Sequence, residues 1–185
     1  VGPTLGADSI AKSKVAGMIG FAIVIAYMLL VYRLSGLVAN IALVIYFLLN
    51  LSLLKLIGAT LTLPGIAGII LTIGMAVDAN VIIFARIRDE IQSGRQLAKA
   101  VRVGFSKGFV AILDSNITTL MAAFVLFWLG TGSIKGFAVT LSLGILVSMF
   151  TAVFVTKLLL DSIVKLWPNV SSTVFFATNE RTDNV

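Results

Sequence analysis

A single carboxylate stands inside a long apolar run. From Leu63 to Ala85 the chain carries no charge except Asp78, followed two residues later by the amide Asn80, and Arg86 and Arg88 then close the run. An ionised carboxylate at the middle of a bilayer helix costs about 2.5–3.5 kcal/mol on insertion scales. Asp78 therefore constrains the fold: something must compensate for it.

That the surroundings are lipid follows from composition, since 59% of the residues are hydrophobic and 12% charged, against about 25% charged in a soluble domain. Histidine and cysteine are absent. Disulfides, thiolate nucleophiles, Ser-His-Asp catalysis and metal sites built on either residue are thereby excluded, so no cofactor and no hydrolytic enzyme is expected. The net charge of +6 invites a nucleic-acid partner, but in a membrane protein the placement of Lys and Arg matters more than their sum, and none is expected. No cleavable signal precedes the first span, so the chain is expected to start within a longer or processed product.

Five spans are predicted: 15–32, 37–57, 63–85, 109–129 and 134–160, each long enough at about 1.5 Å per residue to approach or exceed a hydrocarbon core of roughly 30 Å. Residues 1–14 read as a linker entering the membrane. Leu34-Ser35-Gly36 reads as a tight hairpin between the first two spans. Pro64 stands where a helix tolerates it, in the first turn. Lys55 can extend its ammonium to the interface. The segment 86–108 reads as a loop, and residues 161–185 as an exposed tail.

Within that loop Arg86, Arg88, Arg95, Lys99, Arg102 and Lys107 face only Asp89 and Glu90. Leu97, Val101 and Phe105 recur at helical spacing, predicting a short amphipathic surface helix, set off by Gly94 from the preceding span. The basic residues serve as a topology signal or as a docking face. If this loop is cytoplasmic, Arg33, Lys157 and Lys165 share its side, and Lys12, Lys14, Lys55 and Lys135 lie opposite. The positive-inside pattern then sets the N-terminus outside and the C-terminus inside. The expected fold is an all-α membrane protein, a bundle of five transmembrane helices with a short cytoplasmic amphipathic helix between the third and fourth.

Gly136, Thr140, Gly144 and Ser148 recur every four residues, continued by Ala152. Such a stripe lets a neighbouring helix approach closely and gain dispersion contacts; it serves static packing or, alternatively, a sliding surface. Gly65 and Gly68 do the same in the third span.

Asp78 lies about 12 Å, and Asp114 about 10 Å, from the cytoplasmic ends of their helices, at nearly matching depth. Asp114 opens the most polar stretch in any span, Asp114-Ser115-Asn116-Ile117-Thr118-Thr119. Asp114 and Thr118 share a face, while Asn116 and Thr119 project elsewhere, toward other neighbours or a wet crevice. Each acid is either a structural carboxylate or a station on a proton route.

These residues resemble a known family. Gly74-Met75-Ala76-Val77-Asp78-Ala79-Asn80-Val81 with Phe84-Ala85-Arg86-Ile87-Arg88-Asp89-Glu90 is similar to the signature of the SecD family of protein-export membrane proteins. The resemblance extends to Val1-Gly2-Pro3-Thr4-Leu5-Gly6, to Asp114-Ser115-Asn116-Ile117-Thr118-Thr119-Leu120 and to Gly130-Thr131-Gly132-Ser133-Ile134-Lys135-Gly136-Phe137-Ala138. The chain departs from the family pattern at Ala85, where an acid is common, and at Ser133, where proline is common.

The resemblance implies a resistance-nodulation-division superfamily member in the inner (plasma) membrane, here carrying the last five of six spans. Its implied partners are a SecF-like membrane subunit, the Sec translocon channel, the translocating polypeptide and the lipid bilayer, and its energy source is the proton gradient. Asp78 takes the position of the proton-relay carboxylate; Asp114 is the second relay candidate, and Asn80, Asn116, Thr118 and Thr119 are the supporting polar groups. A proton-coupled small-solute transporter and a structural subunit of a membrane assembly stay open as alternatives.

Overall fold

Three non-helical connections, around Gly58, Gly94 and Thr131, divide the long apolar helices. A computed structural model describes residues 3–59 and 62–166. Its elements are α1 (Pro3–Leu56), α2 (Leu63–Gln92), α3 (Leu97–Leu129), α4 (Ser133–Phe150) and α5 (Thr156–Leu166), with a wider π-helical turn at Thr151–Val155 joining the last two. Four helical stretches are long and apolar enough to cross a membrane: Asp8–Leu56, Leu63–Gln92, Leu97–Leu129 and Ser133–Leu166. No strand occurs among the described residues.

Helix α1 turns back on itself. Its helical geometry fails at one residue, Arg33, at φ 47° and ψ −118°. The two arms then lie side by side: the Asn40 side-chain amide donates to the Ile25 carbonyl at 3.2 Å, and the Phe21 and Phe47 rings lie 5.9 Å apart. The hairpin residue is thus Arg33 and not the expected Leu34-Ser35-Gly36. Gly36 is helical, and a Cβ there would collide with the Met28 carbonyl oxygen, so its bare backbone serves the close approach of the arms.

Three further boundaries differ from expectation. Helix begins at Pro3, so the described part of segment 1–14 is no linker. Helix α2 runs on to Gln92, and the turn around Gly94 (φ 80°) leads directly into α3 at Leu97. The amphipathic segment is therefore the first part of α3 and not a separate helix: Gly104 and Gly108 do not break it but press against Ile87 and Ile83 of α2. Residues 161–166 continue α5, and the rest of the expected tail lies outside the described residues.

Helix α2 is the hub, in contact with α1, α3 and α4. Thr62 caps it, its hydroxyl accepting from the Gly65 amide at 3.2 Å, with Pro64 in the first turn as expected. Against α4 it packs in parallel through small residues. Thr140 meets Gly65 and Gly68, and a Cβ on Gly144 would come within 2.6 Å of the Thr72 side chain. Ser148 is buried on the same stripe, its hydroxyl turned onto the Ile145 carbonyl at 2.8 Å. Against α3 the packing is antiparallel, Ile87 on Gly104 and Ile83 on Gly108.

Candidate functional site

The antiparallel register of α2 and α3 sets what surrounds Asp78. Met75, Asp78, Ala79 and Ile82 share one face of α2, spaced three and four apart. Ile112, Ser115 and Asn116 share one face of α3 by the same rule. Together these two faces enclose a cavity of about 30 Å³.

Asp78 is exposed on this side of the bundle and makes no hydrogen bond or ion pair with any described residue. Across the cavity Asn116 is 7% exposed, and its side-chain amide likewise has no hydrogen-bond partner among the described residues. A carboxylate, a hydroxyl and the amide of a largely buried asparagine thus converge on a space that exceeds the roughly 10–15 Å³ one water needs. The face of α2 bearing Leu71, Gly74, Asp78 and Ala85 is exposed, and a Cβ on Gly74 would meet nothing within 4 Å.

Asp114 does not join Asp78. It is exposed and does not line the cavity, because it sits two residues from both Ile112 and Asn116, roughly half a turn away. Matching depth put both acids at one level, but azimuth separates them. Thr118 and Thr119 turn their hydroxyls back onto their own helix, to the carbonyls of Asp114 and Ser115, each at 3.2 Å. Ser115, which depth alone did not single out, is the α3 hydroxyl at the cavity; the spacing Ile112-Ser115-Asn116 carries that signal.

Asn80 lies in a second polar cluster. Its Oδ1 accepts from the Thr156 hydroxyl at 2.8 Å and its Nδ2 donates to the Ala76 carbonyl at 3.3 Å, all buried. The Thr156 hydroxyl also reaches the Thr151 carbonyl at 3.3 Å, across the π-helical turn. Such turns mark places where a helix register is adjustable. A third cluster links the second arm of α1 to α2: the Tyr46 hydroxyl donates to Thr72 Oγ1 at 2.8 Å and accepts from Asn50 Nδ2 at 2.9 Å.

At the end of the bundle where α2 meets α3, Glu90 is 5% exposed. Lys107 Nζ donates to its Oε1 at 2.6 Å and Arg95 Nε lies 2.9 Å from its Oε2. The Lys107 hydrogen bond holds the Glu90 carboxyl below the usual carboxylate range, against the desolvation that would raise it and with help from the Arg95 and Lys107 charges. No group of His, Cys, Asp and Glu able to hold a metal occurs among the described residues.

Residues 1–166 match the family model described as "Protein export membrane protein SecD/SecF, C-terminal". The chain is 63% identical over 164 residues to the protein translocase subunit SecD of Acidaminococcus fermentans, covering 89% of this chain and 39% of that protein. It is 58% identical over 165 residues to the SecD of Rickettsia prowazekii, covering 89% of this chain and 32% of that protein. The chain thus spans well under half the length of these relatives. A crystal structure of SecDF from Thermus thermophilus, described as a translocon-associated membrane protein, superimposes with a TM-score of 0.87 at 40% identity, over 90% of this chain and 23% of that one.

Proposed function

Since the chain belongs to the SecD/SecF family of protein-export membrane proteins and is a multi-pass membrane protein, we propose that it couples the proton gradient to late steps of protein translocation, with Asp78 as the group that takes up and releases the proton. Each arm of α1 crosses the bilayer, making five crossings in a cell inner membrane, with the N-terminus outside and the Glu90 end cytoplasmic.

The observation that carries this reading is the cavity between α2 and α3. Asp78 has no hydrogen bond or ion pair among the described residues, and beside it the amide of the largely buried Asn116, likewise without a hydrogen-bond partner there, borders a space of water size. A water held there by the Asn116 amide and the Ser115 hydroxyl relays a proton, taking one up from the aqueous side as it gives one to the carboxylate; the carboxylic acid so formed is neutral and no longer bears the cost of a charge in lipid. The small-residue contact of α2 with α4 and the π-helical turn beside Asn80 let the helices repack as that charge comes and goes. Moving one charge through 100 mV is worth about 2.3 kcal/mol, which shifts a two-state equilibrium by more than tenfold.

The exposed face of Asp78 calls for a cover. A second membrane subunit of SecF type, packed on Leu71, Gly74 and Ala85, would enclose the acid and complete its route to water. The Sec translocon channel and the translocating polypeptide are the further partners in this reading, which needs no cofactor besides the proton gradient and makes or breaks no covalent bond in a substrate.

The test is Asp78→Asn in the full-length protein, reconstituted with its translocon in vesicles. The variant is expected to assemble normally and to lose the stimulation of export by an imposed proton gradient. Undiminished gradient-dependent export would falsify the relay, and solute efflux without export would favour a small-solute transporter.

A further inference from the structure

The cytoplasmic end of the bundle holds a second polar cavity, of about 370 Å³, between the first turns of α3 and the whole of α5. Arg102 comes from α3, and Lys157, Asp161 and Lys165 from α5, with Ala98 and Val164 among the apolar lining. Three cations thus face one carboxylate. Nearby, Arg95 and Lys107 both pair with Glu90, but Arg102, Lys157 and Lys165 have no ion pair among the described residues. Asp161 stands one helical turn from each lysine and still pairs with neither.

The surroundings of this cavity are those of a lipid headgroup. On the membrane side of Lys157, about one turn deeper, the Phe154 side chain is 64% exposed and stacks on the exposed ring of Phe150 at 5.2 Å, so apolar surface continues from the cations into the depth where acyl chains lie. A free inorganic anion would have no use for that surface. Helix α3 begins at Leu97 without a side-chain cap and without an acidic residue in its first turn, so its positive end adds to the field in which Ala98 sits.

We propose that this cavity binds the phosphodiester headgroup of an anionic phospholipid of the cytoplasmic leaflet. Arg102, Lys157 and Lys165 hold the phosphate, and the acyl chains run along the exposed rings of Phe154 and Phe150. Basic pockets between transmembrane helices on the cytoplasmic side recognise lipids in this way. A bound lipid bridges α3 to α5 directly below the π-helical turn, joining the helix that carries Asn116 to the helix that carries Thr156. The inference rests on the chain crossing the bilayer and not on proton coupling, so loss of one leaves the other standing.

Native mass spectrometry of the full chain in mild detergent tests it, with phosphatidylglycerol, phosphatidylcholine and soluble glycerol phosphate added in parallel. The wild type is expected to retain phosphatidylglycerol about tenfold or more over phosphatidylcholine. Arg102→Gln/Lys157→Gln/Lys165→Gln, with unchanged helical content by circular dichroism, is expected to lose that preference, and Lys12→Gln/Lys14→Gln at the opposite end to keep it. Asp161→Asn, which removes the one opposing charge, is expected to retain more. The proposal is overturned if the triple variant keeps the preference, if glycerol phosphate binds as well as the lipid, if the Lys12/Lys14 variant loses as much, or if Asp161→Asn shows no gain.

Discussion

The hydroxyl of Thr156 donates to Oδ1 of Asn80 at 2.8 Å, tying α2, two residues beyond Asp78, to the first residue of α5. Both side chains are buried, and the bond crosses at the one place where the last transmembrane stretch departs from α-helical geometry. A change of charge at Asp78 is thus two residues from the contact that holds the π-helical turn in its present register.

Thr156→Val keeps the shape and removes this bond, leaving Oδ1 of Asn80 without its donor. Interhelical hydrogen bonds in membranes contribute on average about 0.6 kcal/mol and at most about 1.7. Unfolding in mixed micelles is expected to show a loss of that order, and the loss should vanish in an Asn80→Leu background. Equal losses in both backgrounds would show that the bond carries no coupling.

Two glycines are expected to respond oppositely to alanine. A Cβ on Gly104 would lie 2.5 Å from Ile87 Cγ1 and 2.7 Å from its backbone nitrogen, so Gly104→Ala must displace the main chain of α2 and should cost about 1–3 kcal/mol. Gly74 meets nothing, and Gly74→Ala should leave the isolated chain as stable or up to about 1 kcal/mol more so, from helix propensity alone. Gly74→Leu should then impair co-purification with the second membrane subunit while the chain itself stays folded, and intact co-purification would remove α2's open face as the docking surface.

The Glu90 cluster predicts an acid limb. Its carboxyl titrates below its ordinary 4.5 in the folded chain, so the folded state binds fewer protons than the unfolded state in that window. Its contribution is complete above the unfolded value and is lost as pH falls through the folded one. Glu90→Gln is therefore expected to lower the melting temperature at neutral pH, and the gap between variant and wild type to close in strong acid. A gap that is constant with pH would mean that the contribution is not ionic.

The cavity residues should separate stability from function. Asn116→Leu removes an amide that makes no hydrogen bond among the described residues and adds apolar surface, so thermal stability should hold or rise, while gradient-dependent export should fall, because the water loses its host. Asp114→Asn, on the other side of α3, should leave most of that export in place. The reverse order would move the proton route from the α2/α3 cavity to the exposed face of α3.

Periodicity and charge were enough to read long apolar helices, the Gly94 turn and the small-residue stripe from Gly136 to Ser148, since each depends on the solvent and on the neighbours three and four residues away. Gly36 misled for one reason: a glycine that bends the chain and a glycine that admits another backbone look alike until the neighbour is known. Asp114 misled for another, because distance along a helix axis sets depth, whereas the side a residue faces also depends on how the helix is rotated against its partners.

What this sequence determined alone is that a charged group would stand where lipid penalises charge, between helices able to approach closely. Which groups meet it was decided only when the helices packed. The α2/α3 register brings Ser115 and Asn116 to Asp78 and leaves Asp114 outside, and the contact of α2 with α4 and α5 gives Asn80 to Thr156. Local sequence fixes the period of each helix, but the rotation of one helix against the next is a sum over contacts between residues far apart in the chain.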